Sequence, residues 1–196
     1  MCGRYLFDPM TGELDEYWQI IADVAKKQKK YKEQEIATGE VFPSNNVLTL
    51  GANKNNEVVP GITKWGFEGF KKGKLFINAR SESVEEKKAF SKHFRERRIV
   101  FPMNGFYEWD SEKKKFLFTG NNEVIYVAGF YRMHENIAES IIMTTEPNAA
   151  VSPIHDRMPL IVDKKDIEKW VLDLDFAREY LKRDMDKFEN LKVKSA

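Results

Sequence analysis

Between residues 98 and 145 the chain passes through five short apolar runs, at 98–102, 105–109, 115–119, 123–131 and 139–145. They are separated by Asn-Gly, Ser-Glu-Lys-Lys and Gly-Asn-Asn punctuation. Apolar runs this short, broken by turn-forming residues, read as strands, because a helix needs a longer periodic stretch. Further strand-like runs stand at 3–7, 47–50, 58–59, 75–80 and 159–162. Helical spacing is confined to a few places. Leu14, Tyr17, Trp18, Ile21, Val24 and Ala25 predict an amphipathic helix over 13–30. Ala89, Phe90, His93 and Phe94 predict a second over about 84–96, and two more patterns lie at 164–171 and about 174–190. Many strands and few helices, without regular alternation, predict an α+β fold with a largely antiparallel sheet curled towards a barrel and flanked by helices. With no internal repeat and no linker-like stretch, residues 1–196 read as a single domain.

Fourteen Phe, seven Tyr and four Trp are enough to fill such a core. The lone cysteine excludes an internal disulfide and a cysteine-based zinc site, so a reducing cytoplasm is expected. Charged residues interrupt positions 1–30, so no secretory leader is expected there, and no run approaches the ~20 apolar residues of a membrane span. A formal charge of +1 supplies no global field for an anionic partner, which would need a local basic patch.

That cysteine, Cys2, follows the initiator methionine directly. Loss of Met1 would leave an α-amine and a thiol on adjacent carbons, a pair that condenses with an aldehyde to a five-membered thiazolidine ring. Their reference pKa values are about 7.7–8.0 and about 8.5, so both are partly available near neutrality. Taken alone, Cys2 serves equally well as a small apolar side chain buried in the first strand.

Three further stretches place polar groups beside apolar strand ends. Asn78 and Arg80, two residues apart, project from one face, and a planar Arg fork there suits a phosphate or carboxylate. Glu108, flanked by Phe106, Tyr107 and Trp109, would have its pKa raised towards the proton-transfer range if desolvated, whereas an outward-facing Glu would be an ordinary surface group. His155 lies in the longest irregular stretch, next to Asp156 and Arg157, and is a natural proton shuttle. Of the other histidines, His93 fits an apolar helix face and His134 a charged turn. No Gly-rich phosphate loop, metal-ligand spacing or Gly-x-Ser-x-Gly elbow is present.

Taken in order, Cys2-Gly3-Arg4-Tyr5, Trp65-Gly66, Ile77-Asn78-Ala79-Arg80-Ser81-Glu82, Gly105-Phe106-Tyr107-Glu108-Trp109, Thr144-Thr145 and Ile154-His155-Asp156-Arg157-Met158-Pro159 resemble the SRAP family, the SOS-response-associated peptidases. Its members protect abasic sites in single-stranded DNA by forming a DNA–protein crosslink. The likeness spans about residues 2–170 and leaves a helical segment at about 172–191 without a motif. It implies that Cys2, freed of Met1 by autoproteolysis, attacks the open-chain aldehyde of the abasic deoxyribose. Asn78 would position amine and sugar, Glu108 would assist proton transfer, and His155 would handle protons at the sugar hydroxyl, with lyase-type Schiff-base chemistry along the way.

The same likeness implies that Arg4, Arg80 and Arg157, with Lys88 on the second helix, hold phosphates of a basic groove. Pro43 would wedge against the flanking stack and Phe70 would stack a base. It implies no cofactor, no metal, no membrane and no obligate protein partner. The expected place is the cytoplasm, at the nucleoid when DNA is bound. The chain departs from the family after Trp65-Gly66, where Phe67-Glu68-Gly69-Phe70 replaces the common proline and tryptophan. The competing assignment is a thiol-dependent N-terminal-nucleophile peptidase or amidase without a DNA substrate, which would have no need of three phosphate-binding arginines.

Overall fold

The structure, a computed structural model, describes residues 2–27 (backbone alone for 24–27), 35–69, 73–121, 124–188 and 190–196. In chain order the elements are β1 (Arg4–Phe7), α1 (Leu14–Lys27), β2 (Gly39–Val41), β3 (Asn46–Ala52), β4 (Val58–Trp65), β5 (Phe67–Glu68), β6 (Leu75–Phe76) and β7 (Asn78–Arg80). Next come α2 (Ser91–Glu96), β8 (Arg98–Met103), β9 (Gly105–Trp109), β10 (Lys115–Thr119), β11 (Ile125–His134) and β12 (Ile137–Thr145). The chain closes with β13 (Met158–Pro159), β14 (Ile161–Val162), α3 (Ile167–Leu172), α4 (Leu174–Tyr180) and β15 (Lys192–Ser195).

Strands β12, β4, β3, β8 and β11 pair in that order, and β11 pairs back onto β12, so five strands close into a barrel. All of these pairings are antiparallel except β12–β4. Every residue of β8 is buried, which is why its sequence is an unbroken apolar run and not an alternating one. The β11–β12 hairpin turns through Glu135 and Asn136, both at positive φ (48° and 67°), the two-residue geometry whose twist matches the flanking strands. β13 and β7 extend β12, so β7 runs parallel to β12 with Asn78 opposite Ile142 and Arg80 opposite Thr144.

A second sheet, in the order β15-β10-β9-β1-β2, packs beside the barrel. Its β1 is a central strand, with Arg4 opposite Tyr107 on one side and Tyr5 opposite Val41 on the other. Phe106 and Phe118 stack at 5.0 Å between β9 and β10. Gly105 opens β9, where a Cβ would stand 2.4 Å from the Phe118 carbonyl oxygen. Only a glycine lets the two backbones approach this closely.

Of the helices, α1 buries Leu14 and Ile21, and its Tyr17 hydroxyl meets that of Tyr126 at 3.2 Å. Buried Arg98 donates to the carbonyls of Phe94, Arg95, Trp170 and Val171 at 2.6–3.0 Å. One guanidinium thus satisfies the unpaired last carbonyls of both α2 and α3, which ties the C-terminal helices to the barrel.

The α+β, barrel-like architecture agrees with the sequence expectation, and several boundaries do not. α2 is only six residues long, because 84–90 turns back on itself with Glu86 and Lys87 both bonded to the Ser83 carbonyl. Val84 and Phe90 pin that stretch into the core while Ala89 is exposed, so Ala89 does not share a buried face with Phe90. The final helix stops at Tyr180, and β15 pairs with β10. The period-two Lys-Val-Lys-Ser pattern covers what would otherwise be an open strand edge. No helix among the described residues is long and apolar enough to cross a membrane.

Replacing Gly105 with Ala forces a methyl group against the Phe118 backbone. A loss of about 1–3 kcal/mol in urea unfolding is expected, the usual cost of overpacking. Unchanged stability would show that β9 and β10 are not locked at this point.

Candidate functional site

β1 carries Cys2 to the end of a central strand, and β7, β9 and the 146–157 loop bring the other groups to it. Cys2 is fully buried, and its Sγ donates to the Arg4 carbonyl at 3.7 Å. Asn78, at the start of β7, donates through Nδ2 to the Cys2 carbonyl at 3.0 Å, and its buried Oδ1 has no partner among the described residues. Glu108, on β9 and 1% exposed, points inward where Tyr107 and Trp109 point out. His155 Nε2 lies 3.8 Å from Glu108 Oε2. The structure therefore brings Cys2, Asn78, Glu108 and His155 into one place from four separated parts of the sequence.

Their electrostatics follow from burial. Desolvation raises the Glu108 carboxyl to about 7, which makes it able both to give and to take a proton near neutrality. Burial, and then the Glu108 charge, push the Cys2 thiol well above its ordinary value. In the chain that still carries Met1, Cys2 is therefore held as S–H. Desolvation lowers His155. Its Nδ1 lies 3.0 Å from the Arg157 backbone nitrogen and 3.2 Å from the Arg157 carbonyl oxygen, while Nε2 faces Glu108. The Asp156 carboxylate, 3.1 Å from the same Nδ1, is ready to stabilise the protonated ring. Near neutrality Glu108 is therefore divided between its protonated and ionised forms.

The cations fare differently from one another. Arg80 is exposed and has no ion pair among the described residues; Lys88 is likewise exposed, but in the turn before α2 and not on a helix. Arg157 is buried, with Nη1 and Nη2 on the Glu82 carboxylate at 2.8 and 2.9 Å and Nη2 on the Thr144 carbonyl at 2.9 Å. These bonds pin the His155 loop to β12, while the buried Nε has no partner among the described residues. Arg4 ion-pairs with Glu40 at 3.0 Å and lies over the Phe42 ring at 4.6 Å. Pro43 follows exposed Phe42 in a tight turn closed by Ser44 at φ 72°. Phe70 falls outside the described residues. Phe67, two residues beyond Trp65, is in the core against Phe90 and Phe130.

The sequence offered no role for Thr144, whose buried Oγ1 has no partner among the described residues, or for Glu82. Thr144 stands in one of the motifs that carry the family likeness, but its pairing with Arg80 is visible only from the sheet register. His93 packs edge-on to Phe67, as its apolar face suggested, but its Nδ1 finds no partner among the described residues. His134 is not simply a solvated turn residue, since its Nδ1 lies 3.4 Å from buried Glu139. Glu68, His134 and Glu139 are grouped closely enough for a metal, but the Glu139 carboxylate already faces the Arg132 guanidinium at 2.7 Å. A cavity of about 230 Å³ between Val124–Tyr126, Asp163 and Leu191 contains none of the four site residues.

Comparison with known proteins gives consistent relatives. The profile of the family described as SOS response associated peptidase (SRAP) matches residues 1–195. Abasic site processing protein YoaM of Bacillus subtilis is 29% identical over 197 residues, covering 92% of this chain and 83% of its own length. Abasic site processing protein YedK of Escherichia coli is 22% identical, covering 87% of this chain and 79% of its own. Among solved structures, a phage-related protein from Bordetella bronchiseptica superposes with a TM-score of 0.73 at 19% identity, over 100% of this chain and 94% of that one. The last likeness establishes the fold.

A Glu that keeps its proton up to about pH 7 leaves a mark on stability. Below pH 4.5 the carboxyl is neutral folded or unfolded; above it, the unfolded state releases the proton first. Relative to Glu108→Gln, the wild-type protein should therefore lose stability as pH rises from about 4.5 through 7. The loss is about 3 kcal/mol at roughly 1.4 kcal/mol per pKa unit. Urea unfolding of both proteins across this range checks it, and parallel curves would contradict the raised carboxyl.

Proposed function

This chain belongs to the SOS response associated peptidase (SRAP) family, and from that premise we propose that it processes abasic sites in single-stranded DNA by crosslinking them to Cys2 once Met1 is removed. The observation that carries the proposal is the meeting of Cys2, Asn78, Glu108 and His155, with Glu108 held at about 7. The names of the relatives, abasic site processing proteins, supply the substrate.

The chemistry follows from the order in which groups become reactive. With the thiol held as S–H, the α-amine of Cys2 is the first nucleophile and adds to the sugar aldehyde. Glu108, as the acid, protonates the departing hydroxyl, and water and an iminium result. Addition of Sγ to the iminium carbon closes the ring, and the thiol proton returns through the Glu108 carboxylate. Aldehyde, amine and thiol thus become thiazolidine and water with no redox change. Asn78 fixes the Cys2 carbonyl, and so the bearing of amine and thiol, while its free Oδ1 is available to the sugar. His155 exchanges protons with Glu108 and the sugar hydroxyl, and reverses the steps on release.

The same acid–base pair suits hydrolysis of the Met1–Cys2 peptide bond and lyase-type elimination from the iminium. Exposed Arg80, and Arg4 once it is released from Glu40, meet phosphates, with Lys88 at the periphery and Phe42-Pro43 as the wedge. Arg157 braces the His155 loop through Glu82 and Thr144, and meets a phosphate once it is released from Glu82. Action on DNA places the protein in the cytoplasm, at the nucleoid.

Incubation with a single-stranded oligonucleotide bearing one abasic site should give an adduct that survives denaturing electrophoresis. Cys2→Ala should abolish it, and Glu108→Gln should slow it about 100-fold, the usual worth of a general acid–base group. An adduct of undiminished yield from Cys2→Ala would sink the thiazolidine route.

A further inference from the structure

The outer face of the second sheet carries an arrangement that the crosslinking chemistry does not use. Residues directly opposite in an antiparallel pair share a face, as do alternate residues along a strand. Lys115 opposite Trp109, Tyr107 opposite Arg4, and Leu6 opposite Glu40 therefore set Lys115, Trp109, Tyr107, Arg4 and Glu40 on one side of β10-β9-β1-β2. Glu108 is on the other side.

Within this face two cations share a single carboxylate. Glu40 accepts from Arg4 Nη1 at 3.0 Å and from Lys115 Nζ at 2.7 and 2.8 Å, one bond to each of its oxygens. Aromatic rings surround them: Lys115 Nζ stands 4.0 Å above Tyr107, and the Arg4 guanidinium is 4.6 Å from Phe42 and 5.1 Å from Trp109. All three charged side chains keep solvent contact, at 40% for Arg4, 29% for Glu40 and 22% for Lys115.

Here one negative group is held by two positive ones, so the cluster retains a net positive charge. Both cations converge on Glu40 Oε1, and Lys115 also reaches Oε2; two cationic donors converging on one anion are what a phosphodiester also requires. Flanking aromatic faces are the other half of a single-strand binding surface, because every base has a face to stack. Arg4 is two residues from Cys2 along the chain, so this face ends close to the terminus that carries the reacting amine.

We propose that Arg4 and Lys115 form a seat for one backbone phosphodiester of single-stranded DNA, that Glu40 fills this seat in the free protein, and that Trp109 and Phe42 are its stacking walls. The inference rests on the abasic-site reading for its ligand. It adds Lys115 as a binding residue and Glu40 as an internal competitor. Binding exchanges the carboxylate for the phosphate, so Glu40 weakens loose encounters and sets how steeply affinity depends on salt.

The test measures fluorescence anisotropy with an intact single-stranded oligonucleotide, in a Cys2→Ala background that cannot crosslink, across a series of salt concentrations. Lys115→Ala should weaken binding severalfold and lower the slope of log K against log salt by about 0.7, the loss of one single-strand phosphate contact. Lys115→Arg should restore the slope. Glu40→Gln should tighten binding about threefold at low salt, since removal of the competing charge frees both cations. Weaker or unchanged binding by Glu40→Gln, or a parental slope in Lys115→Ala, would overturn the seat. Wild-type protein with the abasic oligonucleotide separates the two claims. An adduct without these shifts removes the seat alone, and the shifts without an adduct remove the crosslinking reading alone.

Discussion

A chain terminus is ordinarily the loosest part of a domain; here the first strand is held on both edges. β1 pairs with β9 on one side and β2 on the other, and Asn78 reaches from β7 to the carbonyl of Cys2. Everything else in the site depends on that anchoring. It places residue 2 next to Glu108, one step along the neighbouring strand from the Arg4–Tyr107 pair. Reaction of a terminal amine and its own thiol needs a terminus with a fixed bearing, and a central strand position supplies one.

The electrostatics divide between the two faces of the second sheet. On the inner face, burial leaves Glu108 titrating at about 7, lowers His155 and keeps the Cys2 thiol protonated, so the reactive cluster holds protons and little charge. On the outer face and along the rim, charge is present but largely met by protein: Arg4 and Lys115 by Glu40, Arg157 by Glu82. A protein of formal charge +1 can bind a polyanion only by concentrating cations locally. In the free protein Glu40 and Glu82 offset part of that local positive charge.

Much of this was legible in the sequence, for reasons that differ by feature. The strands of the barrel were visible because burial on both sides forces continuous apolar runs, as in β8. Cys2, Asn78, Glu108 and His155 were singled out for their residue types beside strand ends, and only the ordered likeness to a family joined them into one expected site. Their convergence was not legible, since it depends on sheet order. Arg157 illustrates the limit: its phosphate role is implied only by the family likeness, and the pairing with Glu82 is visible only in the fold. Lys115 and Glu40, seventy-five residues apart, looked like ordinary surface charges for the same reason. β15 was missed because its four residues are all exposed and its pattern is too short to stand out from the preceding helix.

The central claim is that the reactive group is the amine and the thiol of one residue acting together. Peptide mass spectrometry of the purified adduct, after nuclease and protease digestion, tests it most directly. The account predicts an N-terminal peptide that begins at Cys2, carries the abasic sugar with loss of one water, and no longer reacts with thiol reagents. A sugar attached to any other residue, or a crosslinked peptide that still begins at Met1, would contradict it.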